Sequence, residues 1–300
     1  MPDLITAILP LVFTFALGVV LRAWRVFAAQ DADILLKLFF YLCLPALILI
    51  SVSTMHLRPS LLFLPGLSAA IILITFVIGK GIAPILDLPR TTLGVFYIGI
   101  LVMNGGFTFP YVLSAYGAEG MAIASLFDFG TGLMVFTFVY YLACRHGQSG
   151  SNHRQLLTKF LLSPPLLSLI VALTLNVTHT ALPSLIINWF TLLSNMTTPV
   201  VMLALGIAFR PHLVRLGSLA SVIVLRMGLG FVLAQLCVHL MGIDGMMRHI
   251  VVMMASAPSG VNTLAFATME GLDKEFAAAV VSYTTLIGMI WFPFYLSLAV

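Results

Sequence analysis

The sequence MNGGFTFPYVLSAY, residues Met103–Tyr116, carries helix-breaking residues inside a long apolar segment. Gly105 and Gly106 stand side by side and Pro110 follows them, so a continuous helix is disfavoured here. A backbone group that is freed within lipid costs several kcal/mol unless protein, water or a ligand satisfies it. We therefore expect a non-helical break at membrane depth, where it lines a cavity.

A second segment, Ala255–Phe266, has the same character. It reads ASAPSGVNTLAF, in which Pro258, Gly260 and several polar residues interrupt another apolar run. Paired interruptions at corresponding places in two halves of a chain indicate a transporter binding site. The alternative is a pair of structural kinks, in which small residues allow close helix packing. The residues of the two segments that we expect to bind substrate are Asn104, Gly105, Gly106, Thr108, Pro110, Pro258, Ser259, Asn262 and Thr263.

Composition places the chain among the membrane proteins. Hydrophobic residues make up 61% of it and charged residues 8%, whereas soluble domains carry about 25% charged residues. We expect the net charge of +4 to reflect basic loops on one membrane face rather than a nucleic-acid partner. The three cysteines have no metal-ligand spacing, and neither an H-E-x-x-H motif nor a P-loop occurs. We therefore expect no enzyme, no metal and no cofactor.

A membrane-spanning helix needs about 20 apolar residues, and ten segments meet that requirement. They are Leu4–Trp24, Ile34–Met55, Leu61–Gly79, Thr91–Tyr116, Gly120–Cys144, Leu156–Val177, Leu182–Phe209, Leu216–Met241, His249–Thr268 and Phe276–Leu298. The fold class that follows is an all-α polytopic membrane protein with ten transmembrane helices.

The polar segment Arg145–Gln155 divides these helices into five and five. We expect a first five-helix repeat over residues 1–144, a central cytoplasmic loop over 145–155 and a second repeat over 156–300. Because each half has an odd number of spans, two homologous halves must be inverted relative to each other. Three residue pairs support a repeat because one common spacing separates each pair: Pro10 and Pro164, Pro45 and Pro199, Gly117 and Gly271.

Loop charge predicts the orientation. With the N-terminus outside, the outer loops hold only two basic residues, Arg58 and Arg248. The inner side then holds Arg22, Arg25, Lys37, Lys80, Arg90, Arg145, Arg154, Lys159, Arg210, Arg215 and Lys274. Since basic loops stay in the cytoplasm, both termini are expected outside.

Two charged residues fall within predicted spans. Asp128 lies roughly 12 Å beyond Gly120, and Arg226 roughly 15 Å beyond Leu216, within a hydrocarbon core about 30 Å thick. Charges at this depth usually face the protein interior or water. One hypothesis is that Arg226 binds a substrate carboxylate and that Asp128 is the ion-coupling carboxylate. The alternative is that the two residues pair with each other as a structural bridge.

Five motifs resemble the auxin efflux carrier family of transporters. They are YLCLPALIL from Tyr41, NGGFTFP from Asn104, LLSPPLLSLIVAL from Leu161, PVVMLALG from Pro199 and APSGVNTLAFA from Ala257. The resemblance implies two inverted five-helix repeats in which helices 4 and 9 break and cross at mid-membrane, as in bile acid:sodium symporters. It also implies transport of small organic anions, such as auxin in plants or malonate- and malate-like dicarboxylates in bacteria.

By this resemblance, the crossover positions of the family correspond to Asn104–Pro110 and Ala257–Thr263 in this chain. Family members often read N-x-G-F-x-G-x-P at the first crossover, whereas this chain is one residue shorter and has Phe109 near the usual glycine. The chain lacks the long central hydrophilic loop of the plant exporters. It therefore resembles the bacterial branch, which implies the bacterial inner membrane.

The expected function is secondary active transport of small organic anions by alternating access at a mid-membrane site. An alternative is a Na⁺-coupled symporter of the bile acid type, in which Asn104, Thr108, Ser259 and Asn262 supply neutral oxygens. An intramembrane serine protease is disfavoured because no histidine follows Ser259. The expected partners are the anion and the lipid bilayer, without nucleic acid. The choice between H⁺ and Na⁺ coupling, the substrate, the direction and a homodimeric state stay open.

Overall fold

The computed structural model describes residues 2–28, 30–54, 61–147, 158, 162–209 and 214–299. Regular structure in these residues is helical, apart from one isolated bridge between Met103 and Ser259. Six described helical stretches are long and apolar enough to cross a membrane: Ile34–Ser53, Leu64–Leu86, Gly105–His146, Ser184–Ala208, Leu216–Leu240 and Lys274–Leu298. The prediction of an all-α, multi-pass membrane protein is confirmed at this level.

The described helices are labelled in chain order. They are α1 Pro2–Ala23, α2 31–54, α3 Leu64–Ile82, α4 Arg90–Leu101, α5 105–116, α6 118–146, α7 Pro164–Val177, α8 Ser184–Ala208, α9 Leu216–Leu240, α10 Gly245–Ala255, α11 Asn262–Glu270 and α12 Lys274–Ala299. A π-helical turn interrupts three of them, at Phe39–Cys43 in α2, Val135–Val139 in α6 and Val224–Leu229 in α9. Such turns occur frequently at functional sites.

The chain reverses direction at Gly117, between α5 and α6. This glycine has φ 60° and ψ −154°, a conformation that side-chain-bearing residues avoid. A straight helix would hold Gly105 and Asp128 about 35 Å apart. Instead, a Cβ built on Gly105 would lie 2.5 Å from Asp128 Oδ1. The helical stretch of 42 residues from Gly105 to His146 is therefore two antiparallel helices that pack against each other.

The helices pack as two groups. The first helix group contains α1, α2, α7 and α8, and the second contains α3–α6 and α9–α12. Within the first group the backbones of α1 and α8 are in direct contact. A Cβ on Gly18 would lie 2.5 Å from Leu203 O, and one on Gly206 would overlap Phe15 O. Within the second group α3 packs closely on α6, where a Cβ on Gly130 would overlap Pro65 O.

Both predicted interruptions are present. Helix α4 ends at Leu101 and α5 begins at Gly105, while α10 ends at Ala255 and α11 begins at Asn262. The fourth predicted span, Thr91–Tyr116, thus corresponds to α4 and α5, and the ninth, His249–Thr268, corresponds to α10 and α11. Most of the predicted central loop, residues 148–155, lies outside the described residues, as does the start of the sixth predicted span.

Candidate functional site

The two interruptions lie side by side. Met103 and Ser259 form an antiparallel bridge, in which Asn104 N–H donates to Pro258 O at 3.0 Å and Gly260 N–H donates to Val102 O at 3.0 Å. Residues 102–104 and 258–260 are called the junction below. Because each interruption supplies partners for the other, these backbone groups need no water from the membrane interior.

Glycines allow the junction to close tightly. A Cβ on Gly260 would lie 2.8 Å from Val102 Cγ1 and 3.2 Å from Met103 O. A Cβ on Gly288, in α12, would lie 2.5 Å from Pro258 Cγ. Helix α12 also supports the junction through Thr284, whose Oγ1 accepts a hydrogen bond from Ser259 N–H at 3.1 Å. Helix α12 thus supports the junction, and it approaches Pro258 this closely because Gly288 has no side chain.

Asn104 caps the start of α5. Its Oδ1 accepts a hydrogen bond from Phe107 N–H at 3.1 Å, and its backbone oxygen accepts one from Thr108 Oγ1 at 3.0 Å. The Nδ2 group of Asn104 is buried and has no hydrogen-bond partner among the described residues. The first N–H groups of a helix have no partner inside the helix, and Asn104 accepts from those of Phe107 and Thr108, so the N–H groups of Gly105 and Gly106 remain as donors at the start of α5.

A cavity of about 510 Å³ lies between the two helix groups. Its junction side is formed by the starts of α5 and α11, through Asn104, Gly105, Gly106, Gly260, Val261 and Asn262. Its opposite wall is mainly apolar and comes from the first helix group: Leu36, Phe39, Phe40, Leu44, Ile48, Leu166, Leu169, Val201 and Leu205. Volumes of roughly 300–1,000 Å³ are typical of small-molecule sites. A helix N-terminus favours an anion, and this cavity has two of them.

Two ionisable side chains also line the cavity. Asp128, on α6, lies against Gly105 at the start of α5, where the helix dipole favours a carboxylate. Among the described residues no basic nitrogen lies within 4.0 Å of Asp128. Lys37 reaches the cavity from α2, in the opposite helix group. Loop charge alone assigns Lys37 to the inner loops, although it falls inside the predicted second span. That position within a span is the signal that marks it as a candidate site residue.

Arg226 lies on the other side of the junction. It is 0% exposed, and its Nη1 donates to Ile100 O at 2.9 Å while its Nη2 donates to Ala255 O. Those two oxygens belong to the last turns of α4 and α10, where helices carry partial negative charge. Arg226 is outside the cavity lining and does not pair with Asp128. The two roles expected for it from the sequence were binding of a substrate carboxylate and pairing with Asp128, and neither matches this geometry.

Of the other residues predicted to form the site, some line the cavity and some lie behind its lining. Asn104, Gly105, Gly106, Asn262 and Asp128 line the cavity. The others lie behind it: Thr108, Pro110, Pro258, Ser259 and Thr263. Two of these bond to each other, since Ser259 Oγ and Thr263 Oγ1 are 3.0 Å apart. Of the four side chains proposed as neutral Na⁺ ligands, Thr108 and Ser259 are therefore already engaged within the protein.

Comparison with known proteins gives one family. Residues 3–296 match the model of the family described as membrane transport protein. An uncharacterized transporter of Methanocaldococcus jannaschii is 24% identical over 299 residues, which cover 96% of this chain and 94% of the relative. An uncharacterized transporter of Methanothermobacter thermautotrophicus is 23% identical over 290 residues, which cover 92% of each chain.

Proposed function

This chain belongs to the membrane transport protein family, the family of the auxin efflux carriers, and from that premise we propose that it is a secondary active transporter of small organic anions. The observation that carries the proposal is the cavity between the two helix groups, which the N-termini of α5 and α11 both line. Two helix N-termini on one cavity supply positive partial charge, which suits a carboxylate.

The cavity wall bears on the kind of acid that binds. Polar side chains from the starts of α5 and α11 and from α6 line one part of the cavity, whereas phenylalanine and aliphatic side chains form most of the opposite wall. An auxin-like acid would place its carboxylate at the helix N-termini and its apolar body against that wall. A dicarboxylate such as malonate or malate needs a second polar partner, and Lys37 is the basic side chain of the lining that can serve.

Asp128 is proposed as the site of proton coupling. Its carboxylate lies at the start of α5, the same positive end that a substrate anion needs. Two anions at one helix N-terminus repel each other, so a proton on Asp128 favours substrate binding. By linkage, the bound anion favours the protonated carboxyl to the same extent. Proton and anion are therefore expected to cross together, with substrate affinity rising as the pH falls.

The proposed architecture is two inverted five-helix repeats, over residues 1–144 and 156–300, in a cell membrane with both termini outside. A bacterial inner membrane is the proposed location, on the ground that the compact sequence, without a long central loop, resembles the bacterial branch of the auxin efflux carriers. Gly117 and Gly271 support the repeat, because they share the sequence spacing of the prolines and both have positive φ, 60° and 67°. Each also follows the second half of an interrupted helix. Alternating access would come from movement of one helix group past the other, which opens the cavity to each side in turn.

Counterflow in proteoliposomes tests this function. Vesicles that contain purified protein are loaded with malonate, malate or an auxin-like acid, and uptake of the labelled acid is followed. We expect flux above that of protein-free vesicles for at least one acid. Asn104→Ala should reduce flux at least about tenfold, because it removes both the cap and the unpaired amide donor.

Asn188→Ala, on the exposed surface of α8, is the matched control and should keep its flux. Folded wild-type protein that moves none of a broad set of carboxylates would rule out the proposed substrate class. Equal flux in the Asn104 and Asn188 variants would instead place the binding site away from the junction.

A further inference from the structure

Two helices end at one buried point behind the junction. The carbonyl oxygens of Ile100 and Ala255 are the acceptors there, one from the last turn of α4 and one from the last residue of α10. Each helix C-terminus carries about half a negative charge, and the last four carbonyls of a helix have no partner inside it. A point at which two such ends converge away from water attracts a cation.

The structure supplies that cation from α9. Arg226 stands in the π-helical turn Val224–Leu229, is fully buried and donates one hydrogen bond to each of the two helix ends. Gly230, one turn further on, leaves room for the contact, since a Cβ there would overlap Ala255 O and lie 2.9 Å from Arg226 Nη2. The π turn, the missing side chain and the two acceptors together make a site built around one guanidinium group.

The arrangement separates the charges at the junction. The N-termini of α5 and α11 and the carboxylate of Asp128 face the cavity, whereas the C-termini of α4 and α10 face Arg226. A guanidinium group is charged throughout the physiological pH range and cannot leave the protein. The position that would attract a dissociable cation such as Na⁺ is therefore permanently filled.

We propose that Arg226 is a resident cation of this carrier, a positioning residue that holds the ends of α4 and α10 together in place of an exchangeable Na⁺ ion. Only one part of the proposal rests on the transport function inferred above, namely that turnover needs no Na⁺ at the position of Arg226. Its structural content concerns the folded protein itself. It follows that removal of the guanidinium should leave an empty cation site whose occupancy can be measured without any substrate.

Thermal unfolding of purified Arg226→Ala protein tests the site. Titration with methylguanidinium or Na⁺, with choline at equal ionic strength as reference, should raise the melting temperature saturably by about 3 °C or more. The wild type and Arg248→Ala should not respond, because Arg226 is present in both and Arg248 is exposed and bonded to Gln235. Arg226→Ala protein that folds without any cation-specific stabilisation would overturn the proposal.

A second comparison separates charge from packing and covers the case in which the alanine variant does not fold. Arg226→Lys keeps a cation and should retain most of the folded yield and melting temperature of the wild type, whereas Arg226→Gln should lose both. Equal behaviour of the two variants would contradict the proposal, because a packing role does not distinguish them.

Flux gives the third readout. Wild-type flux of an accepted acid should be unchanged when choline replaces Na⁺ on both sides of the vesicle membrane, and a requirement for Na⁺ would refute the inference. Absence of all wild-type flux would reject the transport proposal alone, since the stability measurements on Arg226 variants contain no substrate.

Discussion

At the residue scale, Asn104 shows how one side chain serves both the fold and the site. Its Oδ1 and backbone oxygen accept hydrogen bonds from the first turn of α5, while Nδ2 is left without a partner among the described residues. A buried unsatisfied donor costs about 1–3 kcal/mol. A substrate oxygen that accepts from Nδ2 would give this donor a partner, so the Asn104 amide is a candidate contact for the ligand.

Asp128→Asn is expected to remove the pH dependence of substrate binding. In the wild type, substrate affinity should rise as the pH falls. The rise can reach about tenfold per pH unit in the range where Asp128 is ionised in the empty protein and protonated in the substrate complex. Asparagine resembles the protonated acid, so the variant should bind tightly at every pH. Binding measured by thermal shift across pH checks this, with Glu119→Gln, exposed near the same hairpin turn, as control. A variant with wild-type pH dependence would remove Asp128 from the coupling mechanism.

Lys37→Gln is expected to weaken the binding of dicarboxylates and to leave monocarboxylates nearly unchanged. The side chain is partly in solvent, so the loss should be only about two- to fivefold in Kd. Competition against a labelled acid measures the two classes side by side. Lys80→Gln, exposed on α3 and outside the cavity, controls for net charge. An equal loss for both classes would indicate that Lys37 acts on the first carboxylate.

At the element scale, the short helices around the junction are held by their neighbours rather than by their own length. Helices α4, α10 and α11 have 12, 11 and 9 residues, and isolated helices shorter than about 12–15 residues are marginal in water. Asn104 caps α5, Arg226 bonds to the ends of α4 and α10, and Gly271 ends α11 with a left-handed conformation. The start of α5 and the ends of α4, α10 and α11 thus each have an identifiable partner or cap.

Gly117→Ala is expected to destabilise the hairpin between α5 and α6. The backbone there has positive φ with extended ψ, a region that is essentially restricted to glycine, so alanine should cost about 1–3 kcal/mol of the free energy of unfolding. Gly81→Ala is the control, because its φ is ordinary and no atom lies within 4 Å of the added Cβ. Unfolding in detergent, followed by the loss of helical signal, measures both variants. Equal stability would mean that the chain does not need this conformation to turn.

Much of the element-scale structure was predictable from local sequence. Adjacent glycines, a proline and polar side chains inside an apolar run predict an interruption whatever the partners are, and both interruptions are present. The partner of Arg226 was not predictable in this way. A buried cation in an apolar span pairs with a carboxylate or with carbonyl oxygens, and only the arrangement of α4, α9 and α10 decides between them.

At the scale of the whole molecule, the cavity lies between the two helix groups, where side chains rather than backbones face each other. Within each group, glycines bring backbones into contact, as between α1 and α8 or between α3 and α6. Between the groups, a cavity of about 510 Å³ separates the junction from α2, α7 and α8. Close packing within the groups and looser contact between them favour motion of one group as a body.

A reporter fused to the C-terminus tests the overall topology. The excess of lysine and arginine on one side predicts that both termini lie outside, so alkaline phosphatase fused after Val300 should be active and a cytoplasmic reporter at the same site inactive. Fusions after the inner residue Lys274 should give the opposite pattern and serve as control. Activity of the C-terminal fusion only in the cytoplasm would contradict the predicted orientation.

The amino-acid sequence by itself determined the membrane class, the helical content and the positions of the two interruptions, because these follow from local composition and from the conformational limits of glycine and proline. The turn at Gly117 falls between the predicted spans Thr91–Tyr116 and Gly120–Cys144, so local sequence located it as well. Tertiary structure alone decided that the N-termini of α5 and α11 share a cavity with Asp128, and that Arg226 bonds to the ends of α4 and α10. The physical reason is that helix ends and buried charges interact over a few ångströms in space, between residues that lie far apart along the chain.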